Sequence, residues 1–162
     1  MIINKKVKYL VGSSKLNSEP LKPFDEKVLS FLDSFSRELS TCNNLTDYPD
    51  LKSLSFWCRK NNFLKMKKNY GSLDNKLGVG LIFHITPSNI PTNFAYSLIF
   101  GLLSGNANLV KVPSKNFEQI NIICKILKKL LSKNVSLKNK ISIVKYKNNE
   151  NFTRKMSSIC NA

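Results

Sequence analysis

The sequence predicts an α/β chain. An opening helical segment, residues 1–76, precedes the first strands and helices of a doubly wound parallel sheet, residues 77–162, truncated after three strands. Three observations lead there. Apolar residues recur at helical spacing in the first half, above all from Phe24 to Leu39. From Gly78 onward come short apolar runs, Val79–Ile85, Leu109–Val112 and Ile141–Tyr146, with the character of strands covered on both faces. Between them lie stretches of helical periodicity, and strand alternating with helix is the order that gives parallel crossovers.

Val7–Val11 suits a short strand or an extended arm. Phe24–Leu39 sets Val28, Leu29, Phe31, Leu32, Phe35 and Leu39 largely on one stripe, with Asp25 and Glu26 at the end where a carboxylate is favourable. A second helix is expected from Tyr48 or Pro49 to about Asn61, because Leu51, Leu54, Trp57 and Cys58 recur at helical spacing and Pro49 suits a first turn. Lys65–Lys76, with Gly71 and Asp74-Asn75, reads as a polar connection. After the strand Val79–Ile85, Thr86-Pro-Ser-Asn-Ile-Pro91 is a turn, and Asn93–Ser104 is a helix closed by Gly105. Leu109–Val112 is the second strand. Ser114 or Asn116 is expected to cap the next helix, which carries Ile120, Ile123, Ile126, Leu127 and Leu131. Ile141–Tyr146 is the third strand and Asn149–Ile159 starts a last helix.

The chain has 162 residues, 42% of them hydrophobic, which is enough to bury a core and argues against disorder. Its formal net charge is +16, from 26 Lys and Arg against 10 Asp and Glu. Only three of the basic residues are Arg (Arg37, Arg59, Arg154), while 20 residues are Asn. That composition fits AT-rich coding better than base recognition, which relies on the bidentate guanidinium. Nucleic acid is therefore the weakest of the anionic partners, despite twelve Lys and Arg against two Glu from Lys111 onward. The uncharged stretch Leu77–Val110 is broken by Pro87, Pro91 and several Asn, so no membrane span is expected. Met1–Lys15 holds no signal-peptide core. Cys42, Cys58, Cys124 and Cys160 form no CxxC pair and, with the single His84, no recognisable metal site. Reduced thiols in a cytoplasmic protein are expected.

The common phosphate-binding signatures are missing. Gly78-Val-Gly80 begins like a dinucleotide fingerprint, but Phe83 holds its third glycine position, and it precedes a strand where the fingerprint would follow one. In a parallel sheet ligands bind at the carboxyl ends of the strands, here the turns Thr86–Pro91 and Lys111–Ser114.

Those turns belong to three signatures between Gly78 and Lys115: Pro87-Ser-Asn-Ile-Pro91, Ser104-Gly-Asn106 and Lys111-Val-Pro-Ser114. On these residues the chain resembles the acyl-CoA reductases of bacterial bioluminescence and related pathways (LuxC-type), a branch of the aldehyde dehydrogenase superfamily. Tyr48-Pro-Asp-Leu51 and Trp57-Cys-Arg59 look like that family's opening helices. The resemblance implies a Rossmann-like, aldehyde dehydrogenase-type sheet, with 77–162 as an incomplete nucleotide-binding domain. It also implies an oxidoreductase that converts fatty acyl thioesters to aldehydes with NADPH, through an acyl-cysteine.

By the same resemblance Asn89 donates its side-chain amide to the developing oxyanion; an Asx brace of the Pro87–Pro91 turn is its structural alternative. Thr86, Pro87, Ser88, Lys111, Ser114 and Lys115 are the implied cofactor contacts. Where the superfamily has Lys-Pro-Ser-Glu, this chain has an extra Val112 and a basic Lys115, which favours NADP(H) over NAD(H). His84 reads as a hydrogen-bonded core residue. None of the four cysteines stands in the context of an activated thiol, so the nucleophile is expected outside this chain. The implied protein is the amino-terminal part of a longer enzyme, inactive alone. Its substrate is a fatty acyl-CoA or acyl-enzyme, and its partner a complementary carboxy-terminal half or a second copy. A non-catalytic module that holds nucleotide or pairs subunits is the alternative.

Overall fold

The structure, a computed structural model, describes residues 7–43 and 45–162; residues 1–6 of the opening segment and Asn44 lie outside them. The elements are β1 (Lys8–Val11), α1 (Glu26–Ser40), α2 (Pro49–Trp57), α3 (Lys60–Lys68), β2 (Leu81–Ile85), α4 (Asn93–Leu103), β3 (Ala107–Lys111), α5 (Glu118–Ser132), β4 (Ile141–Lys145) and α6 (Glu150–Ile159). The strands form one sheet in the order β1-β4-β3-β2.

β2, β3 and β4 are parallel, and α4 and α5 are their crossovers. The expectation of a purely parallel, three-stranded sheet is corrected at its edge. β1 pairs antiparallel with β4, Lys8 opposite Lys145 and Val11 opposite Ile143, so the sheet is mixed and the β4 edge is covered. Parallel strands need cover on both faces. On one face Val110, Ile141 and Ile143 pack with α4, α5 and, outside them, α1–α3. On the other, Leu81, Ala107, Leu109, Val144 and Tyr146 take Phe152, Met156 and Cys160 from α6 and its end. The first core is continuous from Val28 on α1 to Leu127 on α5, so the opening helices and the sheet share it.

α1 forms as its stripe demands. Asp25 accepts the Lys27 N–H at 2.8 Å, and Val28, Leu29, Leu32, Phe35 and Leu39 are all buried. It crosses α2 closely at two serines, where Ser36 Oγ donates to the Ser55 carbonyl (2.7 Å) and Ser55 Oγ to that of Ser36 (3.0 Å). The expected single helix from Pro49 to Asn61 is two. The chain breaks at Cys58–Arg59, and α3 then absorbs Lys65–Lys68, which had read as connection. Two tertiary contacts restart it: Asp33 on α1 accepts the Lys60 N–H (3.1 Å), and Phe63 is fully buried, edge-on to Trp57.

The expected cap of α5 is also corrected. Phe117 occupies the N-cap and no side chain caps the helix; Asn116 Oδ1 accepts from Lys145 Nζ instead, at 2.6 Å. β3 starts at Ala107, two residues before the apolar run, because Asn108 is a buried strand residue.

Candidate functional site

The carboxyl ends of β2 and β3 lie side by side, with Ile85 opposite Lys111. This brings the turn after β2 next to the turn after β3, and so brings every residue named for the site to one end of the sheet. Thr86 is the seam between them. It is buried, its hydroxyl donates to the Lys111 carbonyl (2.8 Å), and its N–H reaches the same oxygen. That hydroxyl hydrogen is therefore committed to the fold and unavailable to a ligand.

Pro87, Ser88 and Asn89 follow, all exposed. Among the described residues the Asn89 side chain makes no hydrogen bond, so the Asx brace is not formed and the amide is free to donate outward. The turn runs into α4, whose cap residue Thr92 gives no side-chain hydrogen bond and whose first turn holds no acid. An uncapped helix start is a ready acceptor of negative charge.

On the neighbouring turn, Lys111 Nζ lies 5.1 Å from the Tyr146 ring centre, and Tyr146 is held by Thr153, Oη to Oγ1 2.7 Å. Ser114 and Lys115 are exposed, with Lys115 Nζ 5.2 Å from the Phe117 ring. Val112, the extra residue, is buried and its N–H donates to the Val144 carbonyl (3.0 Å), so it lengthens the β3–β4 ladder by one bond. Lys145 adds a third ammonium here. Its Nζ donates to the Lys115 carbonyl (3.2 Å) and to Asn116, fixing the backbone of the turn that presents Lys115. Lys145 was not foreseen. Its signal is the repeated Val-Lys at the ends of two parallel strands, Val110-Lys111 and Val144-Lys145.

His84 sits one step back on β2, half-buried, and burial pushes its pKa below the ordinary 6.5 against the raising effect of Asn108. Its Nε2 lies 2.9 Å from Asn108 Oδ1, and the Asn108 amide donates to the Asn106 carbonyl. The other signatures act at the opposite end of the sheet. Asn106 Oδ1 accepts the N–H groups of Val79 (2.6 Å) and Gly80 (3.1 Å), so Ser104-Gly-Asn106 clamps the start of β2. Gly105 has φ +85°, and a Cβ there would overlap the Leu21 carbonyl. Gly78-Val-Gly80 is thus packed against this clamp and faces away from the candidate site.

All four thiols are pushed up by burial, Cys124 to about 12; burial is the largest cause for Cys42, Cys58 and Cys160 as well. None has the lowered pKa of an activated nucleophile.

A family model described as acyl-CoA reductase (LuxC) matches residues 26–160. The chain belongs to the acyl-CoA reductase (LuxC) family. Comparison with curated proteins and with solved structures gives no match. The matched span runs from the first residue of α1 almost to the end of α6, so it takes in the opening helices, both turns and the three parallel strands. Membership of the acyl-CoA reductase (LuxC) family makes this an oxidoreductase-family chain. No helix among the described residues is long and apolar enough to cross a membrane.

Proposed function

We propose that this chain is the amino-terminal, cofactor-holding part of a cytoplasmic, NADPH-dependent fatty acyl-CoA reductase that works through an acyl-cysteine. Residues 77–162 are its nucleotide-binding unit, on a doubly wound, aldehyde dehydrogenase-type sheet, and residues 1–76 its helical support. The observation that supports the proposal is the pairing of Ile85 with Lys111, which starts the turn carrying the exposed Asn89 and the turn carrying Ser114 and Lys115 side by side at one end of the sheet.

The residues fit a phosphate-bearing nucleotide: three ammonium groups and an uncapped helix start gather at one end of the sheet. Lys115 and Ser114 would hold the ribose phosphate, with Lys145 steadying their backbone. Lys111 would reach the ribose, and the backbone of Thr86, Pro87 and Ser88 would line the nicotinamide side. When bound, NADPH supplies the hydride. Asn89 would donate its amide hydrogen to the oxyanion that develops at the thioester carbon. The nucleophile would belong to another part of the enzyme, a placement supported by the burial that pushes all four thiols of this chain upward.

Two titrations of the purified chain test the reading. NADPH fluorescence is expected to change saturably on binding, and NADPH absorbance to stay constant when fatty acyl-CoA is added. Failure to bind NADPH would overturn the cofactor assignment. Acyl-CoA-dependent NADPH consumption by the chain alone would overturn the placement of the nucleophile elsewhere.

The raised thiols also favour a second reading, a non-catalytic module that holds nucleotide or pairs with another subunit. Activity recovered on mixing with a cysteine-bearing carboxy-terminal half separates the reductase part from such a module.

A further inference from the structure

Arg is rare in this chain, three residues against 23 Lys, yet two of the three meet in one place. Arg37 on α1 and Arg59 at the break between α2 and α3 line one cleft of about 480 Å³, open to solvent, beside Lys60 and Asn61. The third, Arg154, is on α6 at the other face of the sheet. Asp33 braces both walls of the cleft. Its Oδ2 accepts from Arg37 Nη2 (2.6 Å) and its Oδ1 accepts the Lys60 N–H (3.1 Å), so both oxygens are already committed. The Arg59 guanidinium lies 4.6 Å from the Phe56 ring centre. Such stacking fixes the guanidinium and leaves its N–H edges open to an acceptor. Among the described residues neither the Arg59 guanidinium nor the Asn61 amide has a hydrogen-bond partner.

We propose that this cleft binds the diphosphate group of a small molecule, gripped between Arg37 and Arg59 with Lys60 and Asn61 as further donors. A guanidinium fork meets two phosphate oxygens at once, which a lysine ammonium does not. In a chain that uses Lys at nearly every other basic position, two forks on one cleft supply a geometry as well as charge. The balance of charge selects an anion. Lys60 is paired with Glu26, but two guanidiniums still stand against the single carboxylate of Asp33. The hydroxyls of the lining are spent, Ser36 Oγ on the Ser55 carbonyl and Ser40 Oγ on that of Arg37. Recognition therefore falls to nitrogen donors on side chains, since the first N–H of α3 is spent on Asp33. The cleft shares no residue with the turns after β2 and β3, so this inference stands independently of the cofactor reading.

The probe is inorganic pyrophosphate, titrated into the isotope-labelled chain at constant ionic strength, and the readout is the NMR shift of the Lys60 and Asn61 amides. Saturable shifts are expected. Arg59→Gln should weaken binding roughly tenfold, the loss of one charge-assisted contact, and Arg59→Lys nearly as much. Arg59 makes no hydrogen bond within the fold, so these variants keep the test clear of unfolding. Lys52→Gln, which removes an exposed lysine of α2 outside the cleft, should leave affinity unchanged. Coenzyme A carries the same diphosphate and forms the second arm. Tighter binding than pyrophosphate names the acyl carrier as the source of the group, and equal or weaker binding names a free diphosphate. No saturable shift with either probe overturns the proposal. Equal weakening by Lys52→Gln and Arg59→Gln does so too, by making binding a property of the net charge of +16. Full affinity in Arg59→Lys would remove the fork and with it the site.

Discussion

The Nε2 of His84 and the Oδ1 of Asn108 lie 2.9 Å apart across the β2–β3 seam, and the network around them decides which one donates. The Asn108 amide nitrogen is already spent on the Asn106 carbonyl, so Oδ1 can only accept and Nε2 carries the hydrogen. A proton arriving at low pH must therefore go to Nδ1, creating a cation in a half-buried position.

That cost has a direction in pH. The folded pKa of His84 lies below the ordinary 6.5, so on acidification the unfolded chain takes up the proton first. Stability contributed at neutral pH is lost as pH falls below about 6.5, until the folded pKa is reached. Thermal unfolding of wild type and His84→Gln at pH 7 and pH 5 checks this. Wild type should lose more Tm than the variant; equal losses refute the assignment.

Gly101 lies against both partners. A Cβ there would overlap Asn108 Oδ1 and approach His84 Nε2 to 3.0 Å. Gly101→Ala should destabilise the chain by about 1–3 kcal/mol, as overpacking of a tight core does. Urea unfolding measures it, and the double variant with Asn108→Ser should recover part of the loss.

Asn106→Ala leaves the N–H groups of Val79 and Gly80 without their acceptor at a buried position. The expected loss is about 1–3 kcal/mol in denaturant unfolding. NADPH binding by the surviving folded protein should be unchanged, because this clamp lies at the other end of the sheet.

Lys115→Glu tests the cofactor preference. It places a carboxylate on the turn where the proposal puts the ribose phosphate, so NADPH affinity should fall at least tenfold while NADH affinity changes little. Equal losses for the two would remove Lys115 from the phosphate site.

Lys140, buried at the entrance of β4, donates from Nζ to the carbonyls of Asn17 and Glu19 and so ties down the segment between β1 and α1. Lys140→Met keeps the stem and removes the donor. A loss of about 1–3 kcal/mol is expected, with increased proteolysis near residues 13–20.

The three parallel strands and their crossovers were legible because each is a short apolar run or a wide apolar stripe. Leu81–Ile85 and Glu118–Ser132 needed no tertiary information. α3 was hidden because only Phe63 anchors it firmly; its restart depends on Asp33, a residue on another helix, and no local pattern in a Lys- and Asn-rich stretch shows that. The α5 cap was misread for a similar reason, since Lys145 from a strand far along the chain claims the Asn116 oxygen. At the site, the two turns were readable from their prolines and from the end of each apolar run. Lys145 and the Asn106–Asn108–His84 string depend on register between strands, which one sequence does not display.

β1 is the first part of the described chain to be made and is among the last able to find its place. Lys8 waits for Lys145 and Val11 for Ile143, so the strand has no partner until β4, more than 130 residues later, has left the ribosome. Closing so long a loop costs entropy that the short β1 ladder repays only once β2, β3 and β4 stand as a template. Through that interval the apolar Tyr9, Leu10 and Val11 are open to a chaperone or to a neighbouring nascent chain. The yield of protein made in cells therefore depends on this strand more than its four residues would suggest.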